Sequence, residues 1–246
     1  KTHYRAAFLA AVINSQPMGF YSVSTLVQNA RAGCREPGAA DAEPGSVVEV
    51  LPIDVTASAW DCTLEISPSA EPPAEPPVGP PEDLAAAASD EPAIRLALRF
   101  VKGLGEEVAQ RIVNAREEAP FASIDDLARR TGLGAKTLRI LADAGTLDAL
   151  SGGDRRAAIW SGTWERRDRS QPLFAPLDEP AAAPTLRPYS DAERVYADYI
   201  RTGLSLFKHP LSLLRNQPYM RGIDPCAEVE RRRHGDRMQV AGLVQT

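Results

Sequence analysis

Two glycines bracket a leucine at Gly103-Leu104-Gly105, and a helical pattern opens directly after them. The apolar positions Val108, Ala109, Ile112 and Val113 recur at helical spacing and put one apolar face on that helix. Glycine adopts positive φ at little cost, so this run permits a tight turn between helices. Such a turn leaves free backbone N–H groups at the start of the following helix, where the helix dipole is also positive. Both features suit an anion, and phosphate is the obvious one. The backbone amides of Gly103, Leu104 and Gly105 are the candidate contacts, and Lys102 adds charge beside them. Glu106 and Glu107 act both ways: they favour the helix start but repel a nearby phosphate. A glycine turn between packed helices needs no ligand, so this stretch alone allows either anion binding or plain packing.

A second unit follows. Phe121 to Arg130 reads as a helix with Ser123 as N-cap and Asp125 and Asp126 in its first turn. Then Gly132-Leu133-Gly134 precedes another apolar helix carrying Lys136, with Gly145 as the glycine just past its end. The pair predicts a small domain of four or more helices with Leu127, Leu133, Leu138, Leu141, Leu147 and Leu150 in its core. The stretch from Phe100 to Arg116 resembles a helix-hairpin-helix motif, which implies contact with the backbone of duplex DNA irrespective of sequence. Gly132, Gly134 and Lys136 are the matching candidates in the second unit.

The net charge of −5 argues at first against a nucleic-acid partner. Its distribution reverses that. Glu36 to Glu91 holds thirteen acidic residues and no Lys or Arg, so a total of −5 leaves the remainder of the chain at +8. Local charge matters more than the sum for DNA, although surplus arginines can equally be solvated faces. No apolar run is long enough to span a membrane, and no signal peptide is expected among these residues. Cys34, Cys62 and Cys226 are scattered and read as unpaired thiols of a reducing cytoplasm. His3, His209 and His234 have no metal-ligand spacing, so no metal site is expected.

The flanking elements are mainly α with a small β element. Tyr4 to Ile13 is helical, and Ser24 is expected to cap a second helix running to about Ala30. Val47 to Val55, Trp60 to Ile66 and Ile94 to Arg99 read as strands, the last able to pair with the second. Between those two, Ser67 to Ser89 is rich in Pro, Glu and Ala and is expected to form no core, with Glu36 to Ser46 a smaller insertion of that kind. Asp154 to Trp164 predicts a helix, as does Tyr189 to Ile200 with Ser190 as cap, and another begins at His209. Arg237 to Thr246 alternates like a strand that opens without a partner. The chain is therefore expected to be a piece of a longer protein.

Four blocks, in order, resemble bacterial C-family replicative polymerases: Lys1 to Ser22, Leu51 to Val55 with Trp60 to Glu65, Val101 to Arg116, and Thr202 to Arg215. Ser15 to Ser22 and Trp60 to Glu65 are similar to the error-prone paralogue of the DNA polymerase III alpha subunit. The resemblance implies the end of a fingers domain with its following strands at 1–65. It implies a Pro/Ala-rich acidic insertion at 66–91, longer than the family's pattern, and tandem helix-hairpin-helix units at 92–165. An irregular linker at 166–188, a helical connector at 189–236 and the first strand of an OB fold at 237–246 complete it. The implied activity is DNA-directed synthesis in damage-induced translesion repair, with a polymerase-like accessory mutagenesis protein as partner. The palm that would hold Mg2+ on aspartates lies outside this chain, so no catalytic residue or cofactor is carried over, and the chain alone is expected to be inactive. Lys1 and His3 fall just after the family's nucleotide-facing fingers segment and are expected to be surface residues. Gln171, Leu173 and Phe174 resemble the short peptide that docks polymerases on the sliding clamp, with Gln171 one residue too close and Pro172 restricting the backbone. Tucking of Leu173 and Phe174 against the helices is the other reading. The alternative for the whole chain is a non-catalytic helix-hairpin-helix scaffold of a repair protein.

Overall fold

The computed structural model describes residues 4–17, 19, 21–32, 47–66, 92–169, 186–225, 228 and 231–242, with backbone alone at 32 and over 163–169. The insertions at 36–46 and 67–89, the candidate clamp peptide, Lys1, His3, Cys34 and Cys226 lie outside the described residues. The chain opens with α1 (Arg5–Asn14) and α2 (Val23–Ala32). Three short strands follow, β1 (Val50–Leu51), β2 (Thr63–Glu65) and β3 (Ala93–Arg95). The helical body comprises α3 (Glu106–Glu118), α4 (Ile124–Thr131), α5 (Ala135–Asp143), α6 (Asp148–Ser151) and α7 (Arg155–Arg169). The connector holds α8 (Asp191–Thr202) and α9 (Pro210–Leu214).

The strands are much shorter than their β-branched runs suggest. β3 lies between the other two, parallel to β1 with Val50 opposite Ile94 and antiparallel to β2 with Leu64 opposite Ile94. Pairing of the second and third runs is thus as expected, and Arg95 fixes it with an ion pair to Glu65 at 2.7 Å. The rest of the first run becomes a loop, because Asp54 turns the chain. Its carboxylate accepts from the Thr56 N–H at 2.8 Å, and its carbonyl accepts from the Ser58 N–H at 2.7 Å. The buried Ser58 hydroxyl then donates to the Leu96 carbonyl at 2.7 Å. β3 ends in a single 3₁₀ turn, Leu98–Phe100, where the third run was expected to stay extended.

Capping decides the helix ends. Ser123 accepts from the Asp126 N–H, as its position before two aspartates predicts. Past α5, the Gly145 N–H donates to the Ala142 carbonyl and the Thr146 N–H to that of Leu141, with Gly145 at φ 74°. That is the paired closure a left-handed glycine allows. Ser24 does not cap α2. It is buried in the first turn, and Ser22 accepts from the Thr25 N–H at 3.2 Å instead. One apolar cluster runs from Ala6 through Ile94, Leu98 and Ile112 to Leu204. Leu127, Leu133, Leu138, Leu141 and Leu147 are buried in it, with Leu150 packed at its edge. The last stretch forms a single parallel bridge from Asp224 to Val240, so a partner exists for the strand opening expected there.

The connector is locked to the helical body by a buried charge pair. Arg155 donates to Asp198 at 2.6 Å, the Ser205 hydroxyl donates to the other Asp198 oxygen at 2.6 Å, and the guanidinium lies over the bare backbone of Gly145. Removing Asp198 leaves the buried Arg155 only its longer ion pair to Asp148 at 3.6 Å, so Asp198→Ala should cost about 3 kcal/mol by chemical denaturation. A loss under about 1 kcal/mol would show that the pair holds nothing.

A capping box opens α8: the Glu193 N–H donates to the Ser190 hydroxyl, and the Glu193 carboxylate accepts from the Ser190 N–H at 2.8 Å. Those bonds from Ser190 hold the Glu193 carboxyl down to about 2 from its ordinary 4.5. A depressed carboxyl contributes stability above its unfolded value and loses it as pH falls through the folded one. The melting temperature should therefore drop between pH 4.5 and about 2, and Glu193→Gln should flatten that limb. An unchanged acid limb in the variant would contradict this.

Candidate nucleic-acid interface

Each Gly-Leu-Gly run forms a hairpin of one design. Gly103 has φ 91° and Gly132 has φ 64°, so the first glycine of each run sits in the left-handed region. Gly105 and Gly134 precede α3 and α5 with φ −85° and −76°, extended values that any residue adopts. Only one glycine per hairpin is therefore conformationally required, where both were expected to be. The bracketed Leu104 and Leu133 are buried and anchor the turns, while all four glycines are exposed. The first hairpin is entered from the 3₁₀ turn rather than from an α-helix.

The second unit repeats the first at an offset of 29 residues, and the two interlock reciprocally. A Cβ on Gly103 would lie 3.3 Å from Cδ1 of Ile140, on α5. Arg111, which occupies the place on α3 that Ile140 has on α5, donates to the Thr131 carbonyl at 3.2 Å and passes beside Gly132. Each turn is thus closed by the helix that follows the other.

Backbone donors divide unevenly. The Lys102 N–H donates to the Arg201 carbonyl at 2.8 Å and the Leu104 N–H to that of Val101 at 3.0 Å. The Leu104 amide, expected to face phosphate, is therefore already used within the fold. Among the described residues no acceptor takes the amides of Gly105, Glu106 and Glu107, or those of Gly134, Ala135 and Lys136. These are the open donors that a helix start presents.

Most arginines are occupied. Arg99 donates to the Gln16 carbonyl at 2.9 Å and pairs with Asp61 at 2.7 Å, closing the end of α1. Arg116 donates to the Val55 and Ser58 carbonyls at 3.0 and 2.9 Å. Arg130 donates to the carbonyls of Ala115 and Ala119 at the end of α3. Arg129 pairs with Asp126, Arg155 with Asp198 and Arg156 with Glu193. Over 98–162, the described cations that neither pair with a carboxylate nor donate to a carbonyl are Lys102, Lys136 and Arg139. All three are exposed, and they sit at a hairpin or on α5. Arg139 was not singled out from the sequence, though it lies one turn beyond Lys136. Arg111 was likewise missed, since nothing local marks its distant carbonyl.

Burial pushes the Cys62 thiol up to about 11, so it stays protonated. Among the described residues no cluster of His, Cys, Asp and Glu could hold a metal, and no helix is long and apolar enough to cross a membrane.

Strain should fall on one glycine of the first hairpin only. Gly103→Ala should cost about 1–2 kcal/mol, because a left-handed residue gains a Cβ against Ile140. Gly105→Ser should stay within about 0.5 kcal/mol of the parent, being extended, unobstructed and at a cap position serine favours. Thermal or urea melts compare the two, and equal costs would contradict this geometry.

Residues 47–158 match the helix-hairpin-helix motif family. An error-prone DNA polymerase of Burkholderia pseudomallei (strain K96243) is 41% identical over 99% of this chain, which spans 20% of that relative. One of Methylococcus capsulatus (strain ATCC 33009 / NCIMB 11132 / Bath) is 42% identical over 99%, with 22% of its length spanned. One of Xanthomonas campestris pv. campestris (strain B100) is 41% identical over 99%, again with 20% spanned. The chain thus covers about a fifth of the length of these relatives. Over nearly all of its length it is similar to one region of the error-prone DNA polymerases, and residues 47–158 within that region carry a helix-hairpin-helix segment.

Proposed function

We propose that this chain is the DNA-gripping region of an error-prone DNA polymerase and holds duplex DNA by its phosphates. One observation carries the reading: the unpartnered cations of 98–162 collect where two glycine hairpins present open backbone amides. Amides and exposed cations recognise phosphate oxygens, which are the same at every base step, so the grip is independent of sequence. Similarity to polymerases along 99% of the chain favours this over a repair scaffold, which would need only the hairpins. In the whole protein, cytoplasmic nucleotidyl transfer during damage-induced synthesis would use Mg2+ on palm aspartates, and this chain would hold the duplex in register with that centre. An accessory mutagenesis protein, and the sliding clamp through Gln171, Leu173 and Phe174, are the further partners of this reading.

The chain should bind a labelled duplex in anisotropy titrations with no preference between scrambled sequences. Three side-chain cations that neutralise phosphates release the counterions held there and give a slope of log affinity against log salt of about −3. With Mg2+ and a primed template it should extend no primer. Absence of salt-sensitive binding, or a strong preference for one sequence, would overturn the reading.

A further inference from the structure

The two hairpins are alike in backbone and unlike in charge and in what their donors already do. We propose that they divide their roles: duplex phosphates are gripped on the exposed α5 face by Lys136 and Arg139, with Lys102 alongside, while the first hairpin braces that face. This deepens the proposed function and rests on it.

Lys136 and Arg139 are three residues apart on α5 and so are neighbours on its surface. Neither has a carboxylate or carbonyl partner, whereas Arg129 and Arg130 on the preceding helix are tied to Asp126 and to the carbonyls at the end of α3. The first turn of α5 contains no acid. The first turn of α3 carries Glu106 and Glu107, both exposed, which set two negative charges where a phosphate would sit. Carboxylates that close to a phosphate repel it in water about as strongly as a helix dipole attracts it. The first hairpin is also engaged elsewhere. Its Lys102 amide holds α8 through Arg201, its Leu104 amide closes the turn on Val101, and its Gly103 packs on Ile140. Ile140 lies four residues from Lys136 and next to Arg139, so the brace meets the same helix that carries the grip. The Lys102 side chain is what this hairpin adds to the cationic surface.

The test titrates the whole chain and two double variants against a blunt labelled duplex over a range of salt. Lys136→Ala with Arg139→Ala should weaken binding at low salt by about tenfold or more and make the salt slope shallower by about 2, one unit per lost phosphate contact. Both residues are exposed, so unchanged melts should accompany that loss. Glu106→Gln with Glu107→Gln should leave affinity within about threefold and the slope unchanged. A parental slope in the alanine variant would overturn the division of roles, as would a tenfold gain from the glutamine variant. A parent chain without salt-sensitive binding would overturn this division and the DNA-gripping reading together.

Discussion

Neither hairpin is complete without the other. Gly103 turns through a conformation that only glycine takes easily, and a Cβ there would press on Cδ1 of Ile140 in the second unit at 3.3 Å. The second turn is finished by Arg111 of the first unit, which supplies a donor for the Thr131 carbonyl. A buried carbonyl without a donor costs about 1–3 kcal/mol, so this single long side chain matters to the turn's geometry. The interlock fixes the starts of α3 and α5 relative to each other. Everything that could touch a ligand here is positioned by that relation.

The second theme is the arginine that ends a helix. Arg99, Arg116 and Arg130 each donate to carbonyls contributed by another element. Arg99 and Arg130 satisfy acceptors that a helix end leaves open, where positive charge complements the dipole, and Arg116 satisfies the loop carbonyls of Val55 and Ser58. They also change how the charge count must be read. The surplus of positive charge outside the acidic segment looks like a nucleic-acid surface. Most of it over 98–162 is structural, and what remains available is a small set at the hairpins. Arg155 extends the theme to a buried carboxylate, joining the connector to the turn at Gly145.

Several caps and closures with partners near in the chain were legible in the sequence. Ser123 and Ser190 cap as read, Gly145 closes α5 as read, and the leucines of the paired units form the core. Long-range partners were not legible. The strand around Val50 shrinks to two residues because Asp54 turns the chain onto Ser58, whose hydroxyl is held by the Leu96 carbonyl, 38 residues on. The Leu104 amide looked available because the carbonyl of Val101 reaches it only once the turn is built. Arg139 looked like any surface base until its neighbours proved to be engaged. Family resemblance to polymerases was legible in the motif blocks, and similarity along nearly the whole chain bears it out.

The most direct measurement is residue-resolved amide hydrogen exchange by NMR, with and without a duplex. Hydrogen-bonded amides exchange slowly whether or not a ligand is present, and open helix-start amides slow only when something accepts from them. The Lys102 and Leu104 amides should be protected in both states, and the amides of Gly134, Ala135 and Lys136 should gain protection on adding duplex. Unprotected Lys102 and Leu104 amides, or duplex-induced protection confined to Gly105, Glu106 and Glu107, would contradict the account.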